Sequence, residues 1–206
     1  MTTSWEYEQR ARAQGYKAVC GIDEAGRGPL AGPVVAAAVI LPYAVTVDGL
    51  DDSKKLTEKK REALYSIICE TAVAWSVAAV DEKTIDEINI LNATFLAMKQ
   101  AAEGLALPAD FAFVDGNRVK GLSIPFECVV GGDAKVPSVA AASVLAKVTR
   151  DRMMRELALQ YPQYGFEQHK AYGTKAHYAA LDQYGPSPIH RMSFLKKYFA
   201  ARERTP

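Results

Sequence analysis

The sequence predicts an α/β fold, a mixed sheet flanked by helices and followed by a small C-terminal helical part. Three observations lead there. Two short apolar stretches, 17–23 and 34–41, are joined by a glycine-rich turn too short for a crossover, so they should be antiparallel neighbours. Strand-like and helix-like stretches then alternate through the middle of the chain. From about residue 162 onward the pattern is helical alone.

The stretch 17–23 (KAVCGID) stays apolar until it ends on Asp23. The turn 25–32 follows, and then 34–41 (VVAAAVIL), which is short, apolar and bounded by Pro33 and Pro42, as a buried strand is. Residues 57–71 read as a helix, with Thr57 as its cap and Leu64, Ile67, Ile68 and Thr71 at helical spacing. In 73–79, Val73, Trp75, Val77 and Ala79 alternate with smaller residues, which suggests a third strand. Residues 84–103 carry Ile88, Leu91, Phe95, Met98 and Ala102 on one stripe, with Gly104 as the stop. A short strand over 111–114 runs into Asp115, and 123–130 reads as another. Residues 138–161 form a long helix whose first half, SVAAASVLA, is small enough to pack closely on a sheet. Two last helices, 174–184 and 193–201, each open on a Thr or Ser cap. The turn GRGPLAG lacks the GxGxxG spacing and leads into a strand, which excludes a dinucleotide-binding βαβ unit.

Composition narrows the function classes. Of 206 residues 49% are hydrophobic and 24% charged, which excludes wholesale disorder, collagen-like repeats and a coiled-coil rod. The longest apolar run, 34–41, is too short to cross a bilayer, and the first 17 residues lack the apolar core of a secretory signal. The expectation is a cytoplasmic monomer with no membrane contact and no evident protein partner. Cys20, Cys69 and Cys128 are odd in number and have no CxxC spacing, so they are expected as buried free thiols. Trp5 and Trp75 are expected to pack.

Net charge is only +1, but it is unevenly spread. Residues 145–206 carry 11 Lys/Arg against 5 Asp/Glu, whereas the rest carries 14 against 19. A basic third beside an acidic remainder suits a protein that meets a polyanion with one part and holds cations with another.

The acids are the most informative feature. Asp23 and Glu24 stand where an apolar strand meets a glycine-rich turn. Asp115 in FAFVDGN and Asp133 in VVGGDAK follow the same grammar. One such acid is ordinarily a turn residue. Three, with an adjacent Glu, suggest a cluster, and clustered carboxylates repel unless cations neutralise them. Mg²⁺ or Mn²⁺, which prefer oxygen ligands, would do so. Such clusters with two divalent ions serve phosphodiester hydrolysis and need no covalent nucleophile, and none is evident here.

The segments GIDEAGRGPLAGPVVAAAVIL, DDSKKLTEKKREAL, NILNATFLAMKQA, VDGN, GGDAKVPSVAAASVLAKVTRDRMM, YPQYGFEQHKAYGTKAH and PIHRMSFLKK stand in the order found in bacterial ribonuclease HII. The chain resembles that family from about residue 17 to 198. The resemblance implies a ribonuclease H-like catalytic domain over 17–206, preceded by an N-terminal extension, 1–16. It implies endonucleolytic cleavage of RNA in RNA–DNA hybrids, and on the 5′ side of single ribonucleotides in duplex DNA, leaving 3′-hydroxyl and 5′-phosphate ends. Asp23, Glu24, Asp115 and Asp133 would be the catalytic metal ligands for two divalent ions, Mg²⁺ or Mn²⁺. Asp151 would be structural, paired with a nearby base.

Gly26, Arg27 and Gly28 match the family's ribose-reading loop. Glycines let backbone approach a sugar, and the 2′-hydroxyl is the group that separates RNA from DNA. Tyr172 matches a tyrosine that stacks on the sugar 3′ to the ribonucleotide, though Ala171 stands before it where many relatives have glycine. Lys54, Lys147, His169 and Lys170, with Lys55 as a weaker candidate, would contact phosphate, which sets register without reading sequence. Ser143 is expected only to let its helix pack.

Two other readings stay open. One is a ribonuclease HIII-type nuclease, which needs longer RNA and an added N-terminal domain that 16 residues cannot supply. The other is a non-catalytic nucleic-acid-binding module on the same fold. A phosphate-binding metabolic enzyme is disfavoured, because no helix follows GRG to present its N-terminus.

Overall fold

The first two apolar stretches form the centre of the sheet. In the computed structural model, which describes residues 3–45, 47–50 and 56–202, they are β1 (Val19–Ala25) and β2 (Val34–Ile40). They pair antiparallel, with Asp23 opposite Ala37. β3 (Ala74–Val80) adds antiparallel to the far side of β2. β4 (Phe111–Asp115) and β5 (Phe126–Val129) add parallel on the other side of β1, giving the order β3-β2-β1-β4-β5. The mixed sheet is the one expected, with β5 shorter than its apolar surroundings suggested.

Helices cover both faces, which is why β2 shows no polar alternation and is buried along its whole length. Cys20, Ile22, Ala36, Ala38, Ala112 and Val114 face α3 (Glu82–Glu103). Val35, Ala37 and Val39 face α4 (Pro137–Gln160) and α2 (Glu58–Thr71). β3 is an edge strand, and Trp75 on it stays 38% exposed, its ring edge-on to Tyr65. Cys20 is buried, while Cys69 and Cys128 are half-buried.

α4 is the axle of the molecule. Pro137 opens it, where a missing N–H costs nothing, and its Ala/Ser face lies directly on β1. At Gly21 a Cβ would come within 2.1 Å of the Ser138 carbonyl carbon, so only glycine permits this approach.

The first residues are part of the same core. α1 (Glu6–Ala13) buries Ala11 in the cluster formed by Val19, Phe113, Val129 and Val139. Its Glu8 carboxylate accepts from Ser138 N at 3.3 Å and Ser138 Oγ at 2.9 Å, placing negative charge at the α4 N-terminus. Burial pushes the Glu8 carboxyl above its ordinary range. Arg10 pairs with Glu127 of β5 at 2.6 Å.

Two helix starts differ from expectation. α3 starts two residues earlier than expected, where Asp81 caps it, its Oδ1 accepting from Thr84 N at 2.8 Å. That helix also breaks and restarts at Asn89 (φ 66°), whose Oδ1 accepts from Leu91 N and Asn92 N as a second cap would. α7 (Met192–Arg202) is capped from outside, because Asp86 of α3 accepts from Met192 N at 2.7 Å and Ser193 N at 3.0 Å.

α5 (Phe166–His169) and α6 (Lys175–Tyr184) complete the C-terminal part, and Thr174 caps α6 as expected. This part packs Phe166, Leu181 and Leu195 against Leu30, Ala31 and Met154, so it sits on the glycine-rich turn. Among the described residues no helix is long and apolar enough to cross a membrane.

Candidate active site

The chain runs outward from β1 to β2 and β3 on one side and from β4 to β5 on the other, so strand order reverses between β1 and β4. Crevices at the carboxyl ends of strands beside such a switch are where open α/β sheets place their ligands. Ile22 and Val114 are the last registered pair of β1 and β4, which sets the next residues of the two strands, Asp23 and Asp115, side by side. Asp23, Glu24 and Asp115 line one cleft of about 220 Å³, together with Gly26, Arg27, Gly28, Ser143, Lys147, Arg150 and Tyr172.

Asp23 is only 4% exposed. Its Oδ1 accepts from Glu24 N at 2.7 Å, and it also bonds the Ser143 hydroxyl. Burial, then the nearby charges of Glu24 and Asp115, push its carboxyl well above the usual range. Asp115 Oδ1 accepts from Gly132 N at 2.7 Å, and Arg27 Nη1 lies 3.1 Å from Glu24 Oε1. A buried carboxylate raised by two others has the electrostatics of a site built for cations, and an all-oxygen donor set fits a hard divalent ion. Among the described residues no three His, Cys, Asp or Glu side chains stand as a ready-made cage around one point.

Asp133 departs from the expected grammar. β5 ends at Val129, and Gly131 (φ 67°) turns the chain into a single 3₁₀ turn over Gly132–Ala134 before the acid is reached. Asp133 is buried at 5% exposure and is not among the residues lining the cleft. It lies beside Gly132, whose N–H holds Asp115.

Gly26 has φ 97°, and a Cβ on it would meet Arg150 Nε at 2.1 Å. The Tyr172 ring, 47% exposed, faces Gly28 across the cleft, 3.5 Å from where a Cβ there would stand. Lys147 lines the cleft, but its Nζ is 2.7 Å from Asp151 Oδ1, so Asp151 does have its basic partner. Two expected phosphate contacts point elsewhere. His169 Nε2 lies 2.9 Å from the Tyr164 carbonyl and its ring stacks on His177, while Lys170 Nζ donates to the Glu167 carbonyl. Neither lines the cleft, because Lys170 and Ala171 both adopt positive φ and turn the chain between them and Tyr172. Lys54 and Lys55 lie outside the described residues.

Ser143 corrects an expectation, since it bonds Asp23 as well as letting α4 pack. Arg150 went unnoticed as a cleft residue. The signal was present: Ser143, Lys147 and Arg150 recur at helical spacing in the largely small and apolar first part of the helix, so they share one face.

Behind Tyr172 lies a histidine stack. His177 Nε2 is 3.0 Å from His190 Nε2, and His169 covers the His177 ring. Burial, then the neighbouring His177, hold His190 down at about 4 from an ordinary 6.5. The groups facing His190 are His177, Tyr164, Phe166 and Ser187, with the Arg191 cation next in sequence and no carboxylate among these neighbours to favour a charged ring. The fold binds the neutral form, so this stability is fully present above pH 6.5 and is lost as pH falls towards 4. Thermal midpoints followed across that interval should fall, and His190→Gln should flatten the fall. An equal fall in the variant would exclude His190 as its source.

Comparison with known proteins gives the same direction. The family model described as ribonuclease HII matches residues 20–197, a span that holds every cleft residue. A protein named ribonuclease HII from Acetivibrio thermocellus is 55% identical over 192 residues, covering 93% of this chain and 75% of its own. The crystal structure of the ribonuclease H2 from Pyrococcus horikoshii superposes with TM-score 0.77 at 28% identity, over 92% of this chain and 100% of that one. Bst-RNase HIII, solved in complex with Mn²⁺, shares the fold at TM-score 0.68 and 17% identity, over 95% of this chain and 72% of its own. Sheet order, the switch-point cleft and a match across nearly the whole length therefore agree, and the chain belongs to the ribonuclease HII family, endoribonucleases that act on RNA–DNA hybrids.

Proposed function

We propose that this enzyme also cuts on the 5′ side of single ribonucleotides embedded in duplex DNA, and so serves their excision. In this reading Asp23, Glu24, Asp115 and Asp133 hold the divalent ions, Mg²⁺ or Mn²⁺. The observation that carries it is the shared cleft, where the raised Asp23 carboxyl beside Glu24 and Asp115, a glycine loop and an exposed tyrosine ring face one another.

Each wall has its task. The backbone of Gly26–Gly28 offers amides and carbonyls to a ribose 2′-hydroxyl, with no side chain at Gly28 to hold the sugar off. The Tyr172 ring, opposite, stacks on the following sugar, where a second 2′-hydroxyl would obstruct it. An RNA-to-DNA junction thus fits better than continuous RNA. Ser143 and the Glu24 amide orient Asp23. When bound, the ions supply an activated water and charge stabilisation for the leaving 3′-oxygen. Lys147 and the basic C-terminal third meet phosphates, so binding should weaken as salt rises.

The test is a labelled duplex bearing one ribonucleotide, with and without EDTA. Cleavage on the ribonucleotide's 5′ side, abolished by chelation, is expected. Robust cutting of a full hybrid with no cutting of this duplex would move the enzyme to the HIII-type reading. Tyr172→Ala should slow the single-ribonucleotide reaction on the order of 10-fold, if stacking here is worth about 1–3 kcal/mol as for bases. An unaltered rate would remove Tyr172 from junction recognition.

A further inference from the structure

We propose that His190 and Arg191 are positioning residues, a two-armed brace that fixes the gap between the Gly26–Gly28 loop and Tyr172 and thereby sets the preference for an RNA-to-DNA junction. The inference rests on the roles proposed above for that loop and that ring.

The first arm is Arg191, which is 0% exposed. Its Nη2 donates to the Gly26 carbonyl at 2.7 Å, Nη1 to those of Arg27 at 3.2 Å and Pro29 at 2.8 Å, and Nε to that of Gly32 at 2.9 Å. A guanidinium is costly to bury, and burial holds this one down at about 9. An apolar side chain could fill the same space. A rigid fork of donors meeting four carbonyls of one turn instead acts as a template for that turn's shape. Arg150 adds a second clasp, donating to the carbonyls of Ala31, Pro33 and Lys170.

The second arm is a chain of hydrogen bonds with one consistent direction. The Ser187 backbone N–H donates to His190 Nδ1 at 2.9 Å, which puts the His190 proton on Nε2. That proton goes to His177 Nε2 at 3.0 Å, and His177 then donates from Nδ1 to the Tyr172 carbonyl at 3.0 Å. The chain ends on the residue whose ring faces the cleft. Immediately before it, Lys170 and Ala171 hold φ of 48° and 66°, which non-glycine residues keep only when held from outside.

Backbone bonds join the arms. Ala31 and His190 form an isolated antiparallel bridge. Gly32 N donates to the Ile189 carbonyl, Arg191 N to that of Leu30, and Leu30 N to that of Ala171, each within 2.9 Å. The glycine loop, the dipeptide and the Tyr172 segment are therefore one bonded unit. A shift in the dipeptide changes the separation of the two substrate-facing walls.

The arms can be cut separately. His190→Asn places an acceptor near Nδ1 for Ser187 N–H but removes the donor to His177. His190→Gln places a donor near Nε2. Rates are compared on a single-ribonucleotide duplex and on a uniform hybrid, with thermal midpoints alongside. His190→Asn should lower the single-ribonucleotide rate on the order of 10-fold and the hybrid rate much less, since sub-ångström misplacement has costs of this order. His190→Gln should recover most of the loss. Equal losses on both substrates, or rescue by Asn in place of Gln, would overturn the His arm in favour of local packing. If His190→Asn fails to fold, His177→Gln, which removes the donor to the Tyr172 carbonyl, gives the same reading. Arg191→Lys keeps charge but not the fork, and should slow the single-ribonucleotide reaction on the order of 10-fold and the hybrid reaction less; equal losses or wild-type rates would overturn that arm. Tyr172→Ala with an unchanged ratio of the two rates would instead bring down the underlying reading of the cleft. An altered ratio there with His190→Asn unaffected would bring down the brace alone.

Discussion

Asp23→Asn is expected to abolish cleavage while raising the stability of the metal-free protein. The two effects have one origin. Asp23 is buried beside Glu24 and Asp115 near the end of the central strand, where the Glu24 amide and the Ser143 hydroxyl bond it. Its carboxyl titrates well above the ordinary 3.8, so the folded protein binds this proton more tightly than the unfolded chain. The sign follows by linkage: the penalty is absent below the unfolded value and is complete above the folded one. Asn keeps an acceptor for Glu24 N–H and removes the charge, so the metal-free variant should melt higher at neutral pH, by roughly 2–4 °C for each kcal/mol relieved.

Activity should move the other way. An ion-held nucleophile and charge stabilisation contribute several kcal/mol, so loss of a ligand should cost on the order of 10³-fold or more. Asp115→Asn should do the same. Duplex binding at low salt should survive in both, because phosphate contacts carry it. Mn²⁺ should raise the wild-type melting temperature more than that of either variant. A variant that keeps wild-type rates under saturating Mg²⁺ would end its assignment as a ligand. One that melts lower in metal-free buffer would show that the carboxylate is structural.

The sequence made Asp23 and Asp115 legible because a continuously apolar strand delivers the next polar residue to a fixed place. Asp115 ends β4, Asp23 stands two residues before the end of β1, which runs further than expected, and parallel pairing of β1 with β4 puts the two acids together. Asp133 was harder to place because two glycines intervene after β5, and a left-handed Gly131 breaks the geometry that strand logic assumes. Ser143 was hidden by its company, since a serine among alanines has the composition of a packing face. Arg191 had no local signature, and Arg150 showed only its helical spacing from Ser143 and Lys147. All but one of their carbonyl partners, that of Lys170, lie 117 to 165 residues away, and backbone acceptors leave no trace in residue type. The α1 helix was hidden for the opposite reason. It is polar along most of its length, and its one buried acid, Glu8, finds its partner 130 residues away. The break at Asn89 fell inside an unbroken apolar stripe, because an Asn that ends one helical segment and caps the next leaves the period almost intact.

Gly21→Ala is expected to cause the largest loss of stability of any single methyl addition in the sheet. The added Cβ would stand 2.1 Å from Ser138 C and 2.2 Å from Val139 N, both backbone atoms of the first turn of α4. No rotamer change relieves such a contact, so the helix must move by more than 1 Å to reach ordinary van der Waals distance. Overpacking of this kind typically costs about 1–3 kcal/mol and occasionally more. Here the upper end is expected, because α4 also lies on β2 and on α2, and all three interfaces would reopen together. Thermal melting should register a drop of roughly 6–12 °C for about 3 kcal/mol in a chain of this size. The site should suffer as well. Ser143 bonds Asp23 from this helix, and Arg150, further along the same face, clasps the glycine turn. At temperatures where the variant is folded its cleavage rate should still fall, and more steeply than its binding. A Gly21→Ala protein with unchanged melting and unchanged rate would mean that α4 does not rest on β1 at this point, and the placement of Ser143 against Asp23 would fall with it.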